Sequence, residues 1–182
     1  MSDAAELKVK ELKPVYTPGQ ITARVKELAR DIDAVYGQEP LVVVCVLKGG
    51  IMFFSDLVRS LKNPNLELDF VRLSSYNTDS FSSNHVIFSK DVEIDIHGKH
   101  VLIVEDIVDS GHTMSFLLGQ LRARKARSLR LATLVDKGER RELDVTVDFA
   151  GFRLERGFIV GYGLDYAEKY RTLPGIFEVI PA

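Results

Sequence analysis

The segment VLIVEDIVDSGHTM, residues 101–114, constrains the fold more than any other part of the chain. It begins with apolar residues typical of a buried parallel strand and passes directly into three carboxylates and a small-residue turn. Carboxylates this close repel each other by roughly 4 kcal/mol per pair at about 4 Å in a medium of intermediate dielectric constant. We therefore expect a cation, or a ligand rich in hydroxyl groups, to bind where this strand ends.

Strand and helix patterns alternate along the chain, which predicts an α/β fold with a mostly parallel sheet. The segment from Thr17 to Gly37 predicts a helix that Thr17 caps. Its apolar residues fall on one face: Ile21, Val25, Leu28, Ile32 and Val35. Further helices are predicted over IMFFSDLVRSL and MSFLLGQLRARKA, and strands over LVVVCVL, LELDFVRLSSY, HVLIV, SLRLATLVD, VTVDFAGF and FIVGYGL.

Composition excludes several classes of protein. A chain of 182 residues fits one domain, and its net charge of −2 argues against a general nucleic-acid binder. The only cysteine, Cys45, lies in an apolar strand and cannot form an internal disulfide. The N-terminus does not resemble a signal peptide, and no run approaches the roughly 20 apolar residues of a membrane span. We therefore expect a cytoplasmic protein without nucleic-acid or membrane partners.

Two strand–turn–helix junctions are candidate anion sites. In the first, Gly49 and Gly50 allow close approach of the backbone, and Lys48 adds a cation, which suits pyrophosphate. In the second, Ser110 and Thr113 can either cap a helix or bind phosphate oxygens. The structural alternatives are a tight turn with an exposed lysine and a solvated acidic loop before a capped helix.

The three carboxylates before the second turn suit different tasks. Glu105 and Asp106 leave the strand on opposite faces and could accept hydrogen bonds from a ribose diol, directly or around Mg²⁺. Asp109 is nearer the turn, where it could act as a general base or stabilise positive charge. Ligands of open parallel sheets bind outside the carboxyl ends of the strands. A phosphate cradle, a diol or metal pair and a pyrophosphate turn together match phosphoribosyl pyrophosphate.

VLIVEDIVDSGHT resembles the signature of the phosphoribosyltransferases. VCVLKGG, LSSY, LVDKGERR and FIVGYGLDYAEKYRTLP resemble the pyrophosphate loop, lid start and purine-binding end of the hypoxanthine–guanine branch. This resemblance implies a type I fold in a single domain, 1–182, with a twisted sheet flanked by helices. It also implies a small purine-binding hood from residues 1–16 and 150–182, and a mobile lid over 74–90. That lid coincides with a long polar loop whose composition allows a short hairpin.

The resemblance also implies roles for individual residues. Phosphoribosyl pyrophosphate is held through its phosphate and ribose by Glu105, Asp106, Asp109, Ser110, Gly111, His112 and Thr113. Asp109 is the acid/base residue near N7 of the purine. Pyrophosphate is bound by Lys48, Gly49 and Arg171, next to a Leu47–Lys48 peptide that is often cis in the family. The lid includes Ser75 and Tyr76.

The remaining implied roles concern the purine and the metal. Lys137 donates to the 6-oxo group, Phe158 stacks on the base, the backbone of Ile159 reads its edge, and Asp165 lies at the 2-amino edge. Mg²⁺ is held near Glu105, Asp106 and Asp165. The implied reaction converts hypoxanthine or guanine into IMP or GMP with release of pyrophosphate, in a homodimer or homotetramer.

The chain departs from the family pattern at Gly138, where bacterial relatives commonly carry proline, and at Gly157, where many carry lysine. Two other classes of protein remain open from the residues alone. One is a regulator that keeps the fold and binds phosphoribosyl pyrophosphate as a signal, although no extra basic surface is evident. The other is an acidic-pocket signalling domain, which explains the three carboxylates but not LKGG or FIVGYGLDY.

Overall fold

The structure, a computed structural model, describes residues 9–76, 85–138 and 140–182. Its helices are α1 (Pro18–Tyr36), α2 (Ile51–Ser60) and α3 (His112–Arg122). Its strands are β1 (Val9–Tyr16), β2 (Leu41–Leu47), β3 (Leu66–Tyr76), β4 (His85–Lys90), β5 (His100–Val108), β6 (Ser128–Lys137), β7 (Phe149–Leu154), β8 (Ile159–Val160) and β9 (Ile176–Pro181).

A six-stranded sheet in the order β4-β3-β2-β5-β6-β7 forms the centre of the fold. All neighbours run parallel except β4, which pairs antiparallel with β3 and closes the short hairpin that the polar segment allowed. β2 is buried on both faces: Val43 and Cys45 join one hydrophobic cluster, whereas Val42 and Val44 join the other. Helices α1 and α2 pack in the first cluster and α3 in the second, which confirms the predicted α/β class.

Helix α1 begins as predicted, with a reciprocal cap. The Gln20 amide donates to Oγ1 of Thr17 at 3.3 Å, and the Thr17 amide donates to Oε1 of Gln20 at 2.9 Å. The prediction that Val35 lies on the buried face is wrong, because that side chain is 46% exposed. Tyr36 is buried instead and packs edge-on against His100, with ring centroids 5.6 Å apart. The apolar face therefore continues from Ile32 in a step of four residues rather than three.

Several predicted boundaries are wrong, and in β5 the reason is that pairing with a neighbouring strand outweighs local polarity. β5 does not stop at Val104 but continues to Val108, and its acidic residues lie on the strand, in register with β6. Helix α3 begins at His112 and ends at Arg122, so it excludes the last residues of the predicted segment. β7 begins at Phe149 instead of Val145, and only Ile159–Val160 of the last predicted strand pairs as one.

The chain's two ends form a second, antiparallel sheet in the order β1-β9-β8. β1 was not predicted as a strand, but the sheet occupies the terminal segments in which a hood was expected. That this sheet belongs to a purine-binding hood, and that residues 1–182 form a single domain, remain predictions. None of the described helices is long and apolar enough to cross a membrane.

Candidate active site

Three parallel strands bring the candidate site residues to one edge of the sheet. β2 ends at Leu47, β5 ends at Val108 and β6 ends at Lys137. Because β5 pairs in parallel with both β2 and β6, these carboxyl ends lie side by side. The two turns singled out in the sequence therefore meet at the edge where open parallel sheets bind ligands.

A cavity of about 160 Å³ lies where β5 passes into α3. It is lined by Glu105, Asp106, Ile107, Val108, Asp109, Ser110, Gly111, Thr113 and Met114. Gly111 is the N-cap of α3 in a left-handed conformation, φ +90°, and no side chain caps the helix. Ser110 and Thr113 are thus not used as caps, which leaves their hydroxyls for a ligand. His112 does not line the cavity, because its Nε2 lies 2.7 Å from Glu142.

Two adjacent carboxylates, those of Glu105 and Asp106, line this cavity. Glu105 is only 7% exposed, and burial raises its pKa, with further contributions from the neighbouring Asp106 charge. Oε1 of Glu105 accepts the Asp106 amide at 3.0 Å, and Oδ1 of Asp106 accepts the Ile107 amide at 2.9 Å. A buried carboxylate next to a second carboxylate suits a bound cation or hydroxyl donors.

The turn after β2 packs directly against Asp106. A methyl group at Gly49 would overlap with the Asp106 carboxylate, so only glycine fits here. On the opposite side, the Gly49 carbonyl lies against Gly163, which has φ +102° and leaves no room for a Cβ. The Leu47–Lys48 peptide is cis, in agreement with the resemblance. Lys48 and Gly49 are therefore held between the acidic end of β5 and the 161–171 segment.

Arg171 lies in an ion-pair network with Lys48 that includes a residue the sequence analysis missed. Its guanidinium donates to the Gly163 carbonyl at 2.8 Å and lies 2.8 Å from Asp165 and 3.2 Å from Glu168. Glu168 also lies 3.0 Å from the Lys48 ammonium, and hydrogen bonds from Lys48 and Arg171 lower its pKa. Glu168 thus joins the two cations that were predicted to bind pyrophosphate. The irregular backbone of this segment brings Glu168 there, so no local pattern in the sequence indicated it.

Asp109 and Lys137 approach each other across the ends of β5 and β6. The Lys137 ammonium is buried, with 6% of the residue exposed, and its Nζ lies 3.9 Å from Oδ2 of Asp109. This distance is an ion pair but too long for a hydrogen bond. Oδ1 of Asp109 is buried and has no hydrogen-bond partner among the described residues. A buried acceptor without a partner is costly unless a ligand donates to it.

The predicted purine-contacting aromatic is accessible rather than part of the core. Phe158 is 50% exposed and packs edge-on against Tyr166, with centroids 5.6 Å apart. Ile159 is buried and pairs with Glu178 of β9, so its side chain is structural and only its backbone could contact a base. Gly157 has φ +108°, a conformation that lysine rarely adopts, which accounts for glycine at this position.

Two predicted features, the lid and the metal site, are not established by the described residues. Ser75 and Tyr76 end β3, but their side chains and residues 77–84 of the predicted lid lie outside the described residues. Within the described ranges, no group of three His, Cys, Asp or Glu side chains is placed to hold a metal ion. Asp165 instead pairs with Arg171 and accepts the Glu168 amide at 2.8 Å.

The fold and site define a class. Residues 14–167 match the phosphoribosyl transferase domain model. The chain is 41% identical over 170 residues to the hypoxanthine-guanine phosphoribosyltransferase of Bacillus subtilis, covering 93% of this chain and 94% of that one. It is 46% identical over 164 residues to the hypoxanthine phosphoribosyltransferase of Salmonella typhimurium, covering 88% and 91%. A crystal structure of a Bacillus anthracis hypoxanthine-guanine phosphoribosyltransferase superposes with a TM-score of 0.86 at 41% identity, covering 96% and 99%.

The chain belongs to the hypoxanthine–guanine phosphoribosyltransferase family. The resemblance noted in the sequence is thereby confirmed, and so is the type I fold class. The acidic-pocket signalling alternative is wrong, because the match extends over both turns and the end of β6 rather than over the carboxylates alone.

Proposed function

We propose that this protein is a purine-salvage enzyme that transfers the 5-phosphoribosyl group of phosphoribosyl pyrophosphate to N9 of hypoxanthine or guanine. The products are IMP or GMP and pyrophosphate. The observation that carries the proposal is the approach of buried Lys137 to Asp109 beside the cavity at the end of β5. The name of the B. subtilis relative supports hypoxanthine and guanine, and that of the S. typhimurium relative supports hypoxanthine.

The sugar substrate spans the two turns. Its 5′-phosphate occupies the cavity that Ser110, Gly111 and Thr113 line, near the N-terminus of α3. The backbone of His112 contributes to this cradle, whereas its side chain stays with Glu142. The ribose hydroxyls face Glu105 and Asp106 and donate hydrogen bonds to them. These hydrogen bonds offset the repulsion between the two carboxylates.

The reaction breaks the bond between C1 of the ribose and the pyrophosphate oxygen and forms a bond between C1 and N9 of the purine. The leaving pyrophosphate takes the electron pair, and Lys48 and Arg171 offset its charge. As N9 bonds to C1, the purine loses its N7 proton, which Asp109 accepts at the oxygen that lacks a partner. Lys137 contributes positive charge near Asp109 and donates to the 6-oxo group of the base.

We propose Mg²⁺ as the cofactor. Glu105 and Asp106 would hold the ion, because they supply the hard oxygen ligands that Mg²⁺ prefers, although no group of three such side chains within the described ranges forms a complete protein site. Asp165, which pairs with Arg171 at 2.8 Å, would be a further carboxylate for the ion. When bound, the ion neutralises charge on the leaving group.

Base recognition depends on the purine-facing residues. Phe158 offers an exposed ring for stacking, and the Ile159 backbone offers hydrogen bonds to the base edge. The hydrogen bond that Lys137 donates favours a 6-oxopurine over adenine, because the 6-amino group of adenine is itself a donor and cannot accept it. Closure of a lid containing Ser75 and Tyr76, assembly into a homodimer or homotetramer and a cytoplasmic location remain predictions.

The proposal is tested with the Asp109→Asn variant. IMP formation from hypoxanthine and phosphoribosyl pyrophosphate is followed by absorbance with Mg²⁺ present, and binding of phosphoribosyl pyrophosphate is measured by calorimetry. We expect wild-type turnover, a loss of about 10²- to 10⁴-fold in the variant, and similar binding in both. Tight binding without wild-type turnover would instead support the regulatory alternative. Near-parental turnover of the variant would refute the acid/base role.

A further inference from the structure

The segment after Lys137 forms hydrogen bonds with the backbone of the turn at residues 109–113, which we call the phosphate cradle. Nε of Arg141 donates to the carbonyl of Asp109 at 2.9 Å, and Nη2 donates to the carbonyl of Val108 at 3.2 Å. The amides of Glu142 and Leu143 donate to the carbonyl of Ser110 at 3.0 and 3.1 Å. Residues 141–143 do not line the cavity itself, so they contact the turn from the side away from the ligand.

These contacts fix the direction of the cradle's amides. In a planar trans peptide, the C=O of one residue points opposite to the N–H of the next. Because the carbonyls of Asp109 and Ser110 are held toward residues 141–143, the amides of Ser110 and Gly111 point away from them. Successive amides turned to one side form a concave anion site. Arg141 therefore acts on the amides that a 5′-phosphate would meet, without touching the phosphate.

The same guanidinium also holds the end of β6. Its Nη2 donates to Oδ1 of Asp136 at 2.6 Å and to the carbonyl of Lys137 at 3.4 Å. Nη1 donates to the carbonyl of Val145 at 3.3 Å, which anchors the following segment. One planar group thus ties the backbone of Asp109 to the backbone of Lys137, the two residues whose side chains approach to 3.9 Å.

We propose that Arg141 is a positioning residue for phosphoribosyl transfer. It aims the amides of the phosphate cradle and sets the spacing between Asp109 and Lys137. This inference rests on the proposed function, because it assumes that the cradle binds the 5′-phosphate. A lysine cannot replace the guanidinium fully, because a single ammonium lacks the rigid fork of donors that reaches several carbonyls and a carboxylate together.

Arg24 provides a matched control. Its Nε and Nη2 donate to the carbonyls of Gly151 at 2.7 Å and Ala150 at 2.8 Å, so it also ties one element to the backbone of another. It joins α1 to β7 and makes none of the cradle contacts. Arg24→Gln therefore removes comparable backbone hydrogen bonds while leaving the turn at 109–111 intact.

The test compares Arg141→Gln, Arg141→Lys and Arg24→Gln with the wild type. Calorimetry measures binding of two probes with Mg²⁺ present: ribose 5-phosphate, which needs the cradle, and pyrophosphate, which needs Lys48 and Arg171. Steady-state kinetics gives kcat and KM for phosphoribosyl pyrophosphate, and thermal unfolding checks that each variant is folded. These readouts separate a positioning effect from a general loss of stability.

We expect Arg141→Gln to weaken ribose 5-phosphate binding and to lower kcat/KM by about 10- to 100-fold, with pyrophosphate binding within about twofold of the wild type. Arg141→Lys should bind ribose 5-phosphate with an affinity between those of Arg141→Gln and the wild type. Arg24→Gln should bind both probes as the wild type does. Wild-type ribose 5-phosphate binding in folded Arg141→Gln would overturn the inference. If that variant does not fold, wild-type binding in Arg141→Lys overturns it. If the wild type itself binds neither probe, the proposed function fails and the inference fails with it.

Discussion

The ammonium of Lys48 lies 3.0 Å from the carboxylate of Glu168, which also lies 3.2 Å from Arg171. Lys48 follows β2, whereas the other two residues belong to the irregular segment before β9. Glu168 holds a left-handed backbone conformation, φ +63°, in which its amide donates to Asp165. The Glu168 carboxylate therefore bridges the two cations proposed for pyrophosphate.

Glu168→Gln should strengthen anion binding. Pyrophosphate must compete with the Glu168 carboxylate for Lys48 and Arg171, so neutralising that carboxylate should lower the Kd for pyrophosphate. Because the pair is exposed, we expect only about a 2- to 5-fold change, which decreases as salt is added. Calorimetric titration with pyrophosphate measures it. Glu27→Gln is the control, since Glu27 forms a similar surface pair with Arg24 in α1; weaker binding in Glu168→Gln would refute the competition.

Gly49→Ala should damage the pyrophosphate site. The added methyl group would overlap with the Asp106 carboxylate and push either the turn or the acid out of place. We expect kcat/KM for phosphoribosyl pyrophosphate to fall by about 10²-fold or more. Steady-state kinetics at saturating hypoxanthine tests this.

A glycine with free space around it serves as the control for that substitution. Gly119 lies within α3, and apart from its chain neighbours and the backbone of its own helix, no atom of the described residues is within 4 Å of a Cβ built there. Gly119→Ala should keep full activity and stabilise the protein by about 0.5–1 kcal/mol, because alanine is the better helix former. If Gly49→Ala were as active as Gly119→Ala, the close packing of Gly49 on Asp106 would not matter for function.

Lys137→Ala should weaken discrimination between bases. Without the ammonium, the 6-oxo group loses its donor, and the 6-amino group of adenine no longer faces another hydrogen-bond donor. We expect kcat/KM for hypoxanthine to fall much more than that for adenine. The ratio of kcat/KM for hypoxanthine to kcat/KM for adenine is measured in the wild type and in the variant. An unchanged ratio would exclude Lys137 from base selection.

Cys45 should be unreactive in the folded protein at neutral pH. Burial, with smaller contributions from Glu105 and Asp106, raises the pKa of its thiol to about 12. A raised thiol pKa keeps the nucleophilic thiolate scarce until the pH approaches that value. Labelling with iodoacetamide at pH 8 should therefore require unfolding in urea, after which one equivalent reacts. Rapid labelling of the native protein would contradict the burial of Cys45.

Patterns within one element could be predicted from the sequence. The cap formed by Thr17 and Gln20 is local, and β2 is apolar along its whole length, so α1 and β2 lie where expected. β1 was missed because its pairing partner β9 lies at the other end of the chain. The extension of β5 through Asp106 likewise depends on its ladder with β6, which no local pattern reveals.

The residues of the candidate site also divide into those that a local sequence pattern indicated and those that it did not. Asp109 and Lys48 were found because each follows a buried strand within a recognisable turn. Glu168 and Arg141 were missed because their contacts depend on irregular backbone: Glu168 has a positive φ, and Arg141 reaches carbonyls of a distant turn. The partner of such a charged residue can be assigned only once the three-dimensional structure is known.

The most direct test of the central claim is turnover with phosphoribosyl pyrophosphate and Mg²⁺, offering hypoxanthine, guanine, xanthine and adenine in parallel. Absorbance change and pyrophosphate release are followed for each base. The account predicts nucleotide formation from hypoxanthine and guanine and none above background from adenine. Turnover of adenine in preference to the 6-oxopurines, or no turnover of any base by folded protein, would contradict it.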